Sequence, residues 1–230
     1  MAYRERASVM AGAVLWQREP SRSTSSIRIL PDGCMDLIWD GARLFVAGPD
    51  TRARWHMSRP GSSYIGLRFS GGLGPHLLRV PADAVRDQSP ALNEIWSGAD
   101  ERALREQVQE DPVGAMERWL AVRAADVEPP QLGTALFCMA AAGTPVSAMA
   151  ETAGYSTRQL DRRCSALFGY GPQHLTRVLR LGRTLADARR GTSLAHAAAT
   201  NGFADQAHLS REVRDLAGTT LTVLLTESAG

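Results

Sequence analysis

Lysine is absent from this chain, cysteine is scarce, and no long apolar run occurs. All 26 basic residues are arginines, and against 24 acidic residues they leave a net charge of only +2. The overall charge therefore gives no argument for a nucleic-acid or an acidic partner. No stretch approaches the roughly 18 apolar residues that can span a membrane, and the first ten residues lack the apolar core of a secretory signal. We expect a soluble protein of the cytoplasm.

The three cysteines are Cys34, Cys138 and Cys164. Their number is odd, they lie far apart, and none belongs to a C-x-x-C pair. This distribution argues against a disulfide framework and against a zinc site. We expect no cofactor. The exclusive use of arginine is typical of codon bias in a GC-rich genome, although a guanidinium also suits phosphates and guanine edges.

A change of composition divides the chain near residue 126. The segment 124–130 reads AADVEPP, and two prolines in a short polar stretch cannot continue a helix. We predict a first domain over residues 1–125, a linker over 126–131 and a second domain over 132–230. Residues 1–130 carry 16 arginines against 17 acidic residues and residues 131–230 carry 10 against 7, so the small basic excess lies in the second part.

The first part reads as α+β, with its strands leading. Short runs of strand type alternate with turn signals such as the PDG at 31–33 and the GPD at 48–50. From residue 72 the pattern becomes helical. The predicted strands are 13–16, 25–30, 35–39, 44–47 and 64–69, and the predicted helices are 72–79, 90–97, 99–109 and 112–124. After the linker, glycines and prolines divide an entirely helical pattern into about seven helices.

The second part contains an internal repeat. The segment VSAMAETAGY at 146–155 aligns with LAHAAATNGF at 194–203 at an offset of 48, so that Gly154 meets Gly202. Beyond that point an insertion makes the offset 49, and Gly169 meets Gly218. A short helix, a glycine and a longer helix opened by Ser156 or Asp205 form the pattern of a helix-turn-helix, whose tight turn favours the positive φ of glycine.

The longer helix of each unit has two distinct faces. In the first unit an apolar stripe of Leu160, Cys164 and Leu167 faces inward, and Arg158 and Arg162 each project about 200° around the helix from Leu160. The second unit repeats this division. Its stripe is Leu209, Val213 and Leu216, and its outward arginines are Arg211 and Arg214. Exposed arginines commonly only solvate a helix, but their repetition in two units favours a pair of helices that read two successive major grooves.

These segments resemble the DNA-binding domain of AraC-type transcription regulators. The similarity is carried by AETAGYSTRQLDRR at 150–163, FGYGP at 168–172 and GFADQAHLSREV at 202–213. It implies an all-α domain with two helix-turn-helix units joined by a long helix at about 174–190. The residues that the resemblance places at base edges are Arg158, Asp161, Arg162, Gln206, His208, Ser210 and Arg211. The candidates for phosphate contacts are Ser156, Thr157, Arg177, Arg180 and Arg183.

The chemistry of these side chains fits the implied roles. An arginine can bond guanine O6 and N7 together, and Gln206 can pair with adenine in the same bidentate way. Asp161 has two alternative roles: it accepts from a cytosine amine, or it holds Arg158 or Arg162 in place. Double-stranded DNA is the expected partner, and RNA polymerase is a further candidate.

The segments PDGCMDLIW at 31–39 and GLRF at 66–69 resemble the amino-terminal region of short AraC-type regulators. This resemblance implies a sensor or dimerisation domain, with strands of a small β-barrel of the cupin type followed by helices. A small-molecule effector is a candidate partner, and both a monomer and a homodimer are compatible with the sequence. Four aromatic residues could line an apolar pocket, although a plain core explains them better: Trp16, Trp39, Trp55 and Tyr64.

An enzyme is the rival class. Cys34 follows a turn and could act as a nucleophile, as in DNA-repair proteins that carry an AraC-type domain as an accessory module, but no histidine lies near it in sequence. His56 and His76 lack the spacing of a metal site. Asp32 and Asp36 read more simply as a turn residue and a strand residue than as an acid–base pair. No catalytic constellation is apparent, so we predict a regulator and not an enzyme.

Overall fold

A computed structural model of the chain describes residues 3–20, 22–96, 98–128 and 130–227. The strands of its first part are β1 Tyr3–Ala7, β2 Ala13–Arg18, β3 Ser25–Ile29, β4 Met35–Trp39, β5 Leu44–Ala47, β6 Arg54–Ser58 and β7 Tyr64–Phe69. They form a five-stranded antiparallel sheet with strand order β1-β2-β7-β4-β5 and a two-stranded sheet of β3 and β6.

All five strands expected from the sequence are present, and β1 and β6 are additional. Every residue of β1 is exposed, so this edge strand lacks the apolar alternation by which strands are recognised. Half-buried and exposed positions alternate along β6, and Ser58 is its only buried residue. Both strands form because they pair with β2 and β3, which a local pattern does not reveal.

A row of leucines across the sheet begins the core of the first part. Leu15 on β2 pairs with Leu67 on β7, which also pairs with Leu37 on β4, and all three are at most 1% exposed. Cross-strand neighbours of this kind stabilise a sheet through side-chain packing. Helices cover this face, and their buried residues include Leu104 and Leu120. The helices are α1 Gly74–Leu78, α2 Leu92–Ile95, α3 Ala99–Glu110 and α4 Pro112–Asp126, with a 3₁₀ turn at Ala82–Val85.

The second part is helical throughout its described residues, as predicted. A second cluster of buried apolar side chains, separate from the first, includes Leu136, Phe168 and Leu175. The seven helices described here are α5 Gln131–Ala141, α6 Val146–Thr152, α7 Thr157–Phe168, α8 Pro172–Arg189, α9 Leu194–Thr200, α10 Gln206–Ala217 and α11 Leu221–Glu227. None of the described helices is long and apolar enough to cross a membrane.

The internal repeat appears as two units of equal dimensions. The short helices α6 and α9 have 7 residues each, and the longer helices α7 and α10 have 12 residues each. The starts of the short helices are offset by 48 residues and those of the longer helices by 49, as the sequence indicates. Gly154 and Gly202, between the helices of each unit, have φ of 69° and 78°, a region that favours glycine. The long helix α8 joins the two units.

Candidate nucleic-acid interface

Helix α7 begins with a complete capping box. The side chain of Ser156 accepts from the backbone N–H of Gln159, and the Gln159 side chain accepts from the backbone N–H of Ser156. This arrangement satisfies two donors that a helix start leaves free. Leu160 and Cys164 are fully buried beneath the helix. The side chains expected to face DNA all lie exposed: Ser156, Thr157, Arg158, Asp161 and Arg162.

Helix α10 is opened by Asp205, whose carboxylate accepts from the backbone N–H of His208 at 2.6 Å. Gln206 and Arg211 are exposed, and His208 and Ser210 are half-buried. The hydroxyl of Ser210 donates to the carbonyl of Gln206 at 2.8 Å, and the ring of His208 packs edge-on against Phe203 at 5.2 Å. The two exposed side chains are therefore free to reach outward, while the other two are held against their own unit.

Asp161 does not hold either neighbouring arginine. In the part of the chain that the structure describes, Arg158 and Arg162 form no hydrogen bond or ion pair with it. Its carboxylate lies beside the start of α8, where a Cβ added to Gly171 would stand 2.1 Å from Oδ1. A negative charge at a helix N-terminus is favourable. Asp161 is thus positioned by α8, and both arginines remain unpaired on the surface.

Two of the three candidate phosphate-binding arginines on α8 are bound to carboxylates. Arg177 donates to Glu212 of α10 from Nε at 2.9 Å and from Nη2 at 3.2 Å, and it also donates to Asp215. Arg180 lies 3.4 Å from Glu212 and stacks over the ring of Phe203 at 4.4 Å. These contacts hold α10 against α8.

Arg183 differs from the other two arginines of α8. It forms no ion pair among the described residues, and its buried Nε has no hydrogen-bond partner there. It is half-buried, and its charge lies near enough to Asp187, one turn along α8, to help lower the pKa of that carboxyl. Of the three arginines, Arg183 is the one without an ion pair among the described residues.

Charge pairing shifts the pKa of Arg177 and the pKa of Asp215. The hydrogen bond from Arg177 lowers the pKa of Asp215, and burial opposes this shift. The hydrogen bond with Glu212 raises the pKa of Arg177. Both shifts favour the charged forms, so the ion pairs persist at neutral pH. A groove of about 380 Å³ lies beside this network, lined in part by Arg177, Arg180 and His208.

The four aromatic residues considered for a ligand pocket are not gathered by the fold. Trp39 belongs to the core cluster, together with its strand neighbours Met35 and Leu37. Trp16 lies on the other face of the sheet, where its indole donates to Asp36 at 2.6 Å. Trp55 is 55% exposed beneath Arg28 on the two-stranded sheet, and Tyr64 packs edge-on against His56. Alternation of side chains along a strand separates them.

The surroundings of Cys34 are unfavourable to a nucleophile. Burial, followed by the charges of Asp32 and Asp36, raises the pKa of the Cys34 thiol well above its usual value. An activated cysteine requires the opposite shift, because the thiolate is the reactive form. Burial also raises the pKa of Asp36 to about 6, while Arg68 opposes that shift. Among the described residues no group of His, Cys, Asp and Glu could hold a metal ion.

Sequence reasoning missed the residues that tie the interface to the rest of the chain. Glu212 is 8% exposed and lies directly after the outward Arg211, so the apolar stripe of α10 gives no sign of its ion pairs. Arg28, Arg52 and Arg86 of the first part contact the second part more than 80 residues away. A local pattern contains no signal for contacts at that separation.

Comparison with known proteins agrees with this architecture. Residues 149–227 match a family model described as a helix-turn-helix domain, and residues 13–90 match one described as a domain of unknown function, DUF6597. No curated protein matches the chain. A 1.65 Å structure of ToxT from Vibrio cholerae is 10% identical, with a TM-score of 0.50 and 99% of both chains covered. An apo ToxT variant from the same organism is 9% identical, with a TM-score of 0.50 over 96% of this chain and 99% of that chain.

The fold is therefore that of the two-domain ToxT structures, in which a β-rich domain with helices precedes a helical helix-turn-helix domain. The chain contains an AraC-type helix-turn-helix domain and, in front of it, a DUF6597 domain.

Proposed function

We propose that this chain is a sequence-specific transcription regulator that reads two adjacent segments of duplex DNA with α7 and α10. The observation that carries the proposal is the exposure of Arg162 and Arg211 at matching positions of two equal helix-turn-helix units, with Arg158 and Gln206 exposed in the first turns of the same helices. The buried stripe of each helix packs into one shared core, so the outward faces are presented by rigid elements. Helices presented in this way enter the major groove.

The arginines carry most of the predicted specificity. Arg158 and Arg162 have no partner in the described part of the chain, so they lose no internal ion pair when they bind a base. A bidentate contact with guanine contributes roughly 1–3 kcal/mol of discrimination. Gln206 is exposed in the first turn of α10 and suits adenine. Asp161, His208 and Ser210 adjoin these side chains and complete the proposed reading surface.

Phosphate contacts position the protein along the duplex. Ser156 and Thr157 lie exposed at the start of α7, where backbone N–H groups and the helix dipole favour an anion. Arg183 of α8 is the proposed cationic contact. Arg177 and Arg180, bound to Glu212, contribute mainly by keeping α8 and α10 in register.

The first domain regulates this activity in our proposal, either through a small molecule or through dimerisation. It carries a groove of about 360 Å³ between α3 and α4, lined in part by Leu104, Trp119 and Val122. This volume lies within the range of small-molecule sites, and Val122 is 68% exposed. Sedimentation at several concentrations separates the alternatives, because a monomer at all concentrations would leave only the small-molecule route.

The decisive experiment measures binding of the full chain to duplexes selected from a random library, against random competitor at about 0.15 M salt, since salt weakens contacts with phosphate. Arg162→Ala and Arg211→Ala should weaken the selected complex far more than random binding. Arg163→Ala is the matched control, because Arg163 lies on the flank of α7 over the ring of Tyr155. Equal losses on selected and random DNA would assign Arg162 to phosphate. No selection from the library would overturn the proposal.

A further inference from the structure

The first domain caps the C-terminal ends of α7 and α10, the two proposed recognition helices. In α7, the C-cap residue is Gly169, and its carbonyl accepts from Nη1 of Arg86 at 3.0 Å. In α10, the carbonyl of Leu216 accepts from the backbone N–H of Ala53 at 2.6 Å, and that of Ala217 accepts from Nη1 of Arg28 at 2.7 Å. The last four carbonyls of a helix have no partner within it. Residues far away in the chain supply those partners here.

Side chains reinforce the cap on α10. Nε of Arg28 lies 3.1 Å from a carboxylate oxygen of Glu227 on α11, and the Arg28 side chain is only 11% exposed. Its guanidinium also stacks 4.3 Å above the ring of Trp55. Arg52 pairs with Asp215 in the last turn of α10 at 3.0 Å. The geometry of Arg28 is thus determined on three sides, and positive charge at a helix C-terminus is favourable.

The cap on α7 combines a charge with close packing. Gly169 lies so near to Pro49 that an added Cβ would stand 2.3 Å from Cγ of the proline. The 3₁₀ turn at Ala82–Val85, directly before Arg86, packs along α7. Only a glycine fits at this approach, and its φ of 80° is also one that glycine adopts without strain.

The two caps come from one connected part of the first domain. We name residues 48–54 and 82–88 the bridging loops. Gly48 donates to the carbonyl of Gln88 at 3.0 Å, and Asp87 donates to that of Pro49 at 3.1 Å. The Asp87 carboxylate accepts from the backbone N–H of Thr51 at 2.7 Å. Because the loops are hydrogen-bonded together, the ends of α7 and α10 are held against a single unit.

We propose that the bridging loops, with Arg28 and Arg86 as positioning residues, set the spacing and relative orientation of the two recognition helices. The inference rests on the proposed function. Each recognition helix is about 18 Å long. The caps lie at its far end, about two turns beyond Arg162 or Arg211, and leave the reading surface open. Because both helices are held at one end, they bind two half-elements that are separated by one fixed distance along the duplex.

The first test uses the free full-length chain and no DNA. Hydrogen exchange followed by mass spectrometry should show faster exchange in the last turn of α7 for Arg86→Ala, and in the last turn of α10 for Arg28→Ala. Arg59→Ala is the control, because Arg59 is exposed in the first domain and contacts no residue of the second domain. Unchanged exchange at both helix ends would show that the caps do not stabilise the last turns of α7 and α10, and would overturn the inference.

The second test separates positioning from simple loss of stability. Each variant is titrated with the selected duplex and with duplexes that carry one base pair more or fewer between the two half-elements. One base pair shifts the half-elements by about 3.4 Å and rotates them by roughly 35°. We expect the wild type to prefer one spacing, and Arg86→Ala and Arg28→Ala to reduce that preference about three- to tenfold, the effect of roughly one ordinary hydrogen bond.

The outcomes distinguish the two proposals. Arg86→Lys and Arg28→Lys keep a cationic donor and should restore part of the spacing preference. If a variant were merely destabilised, its apparent affinity would fall by the same factor on all duplexes. An unchanged spacing preference in the alanine variants would therefore overturn the positioning role while leaving DNA recognition intact. If the wild type selects no duplex, the proposed function fails, and the positioning role fails with it.

Discussion

Arg177 of α8 and Glu212 of α10 form a two-point ion pair, with Nε–Oε1 at 2.9 Å and Nη2–Oε2 at 3.2 Å. Glu212 is 8% exposed and also lies within 3.4 Å of Arg180. One carboxylate on the second recognition helix is therefore shared by two cations on the helix that joins the units. This relationship orients α10 independently of its apolar stripe.

Replacing Glu212 should destabilise the chain by leaving two half-buried arginines without their carboxylate. We expect Glu212→Ala to cost about 2 kcal/mol, less than a fully buried pair because Arg177 is 30% exposed. The melting temperature should fall by about 5 °C. Glu151→Ala on α6 is the control, since Glu151 is exposed and has no side-chain partner among the described residues. Equal melting temperatures for the two variants would contradict a structural role of the pair.

The salt dependence of DNA binding should identify Arg183 as a phosphate contact. Loss of one such contact lowers the slope of log affinity against log salt by about 0.9. We expect Arg183→Ala to show this reduction on selected and random duplexes alike, measured between about 0.05 and 0.2 M salt. Arg59→Ala should leave the slope unchanged. A normal slope for Arg183→Ala would place its side chain outside the DNA contact.

Cys34 should be slow to react with an alkylating agent at neutral pH. Burial raises the pKa of Cys34, so the folded chain holds it as the unreactive thiol. Exposed Cys138 should be modified first, and buried Cys164, whose pKa is raised to about 12, serves as the protected reference. Peptide mass spectrometry of a time course follows each site. Labelling of Cys34 ahead of Cys138 would revive the hypothesis of a cysteine-dependent enzyme.

Replacement of Gly66 and of Gly182 by alanine should change the free energy of unfolding in opposite directions. A Cβ on Gly66 would stand 2.4 Å from the indole of Trp16, which is held by its hydrogen bond to Asp36, so Gly66→Ala should cost about 2–3 kcal/mol. A Cβ on Gly182, inside α8, would meet nothing within 4 Å. Gly182→Ala should therefore stabilise the chain by about 0.5–1 kcal/mol. Urea unfolding of both variants measures the difference, and the same sign for both would refute the packing argument.

Much of the fold follows from local pattern. The strands at 35–39, 44–47 and 64–69 coincide with β4, β5 and β7 at both ends, because these short runs of strand-type residues are bounded by turn signals. The edge strand β1 was missed, since all its residues are exposed. The aromatic pocket considered as an alternative to a plain core in the first domain is not formed as one site. Trp16 and Trp39 lie on opposite faces of the sheet, and the sequence does not show the register that separates them.

Some features of the candidate site follow from the local sequence, and others depend on tertiary contacts. The sequence by itself determined the two helix-turn-helix units, their offset of 48 and then 49 residues, and the outward faces of α7 and α10, because helical periodicity and glycine turns act over a few residues. Only the tertiary structure decided that Glu212 binds Arg177 and Arg180 in ion pairs, and that Arg28 and Arg86 cap the C-terminal ends of α7 and α10. Those contacts join residues 32 to 189 positions apart, where the packing of whole elements decides which groups meet.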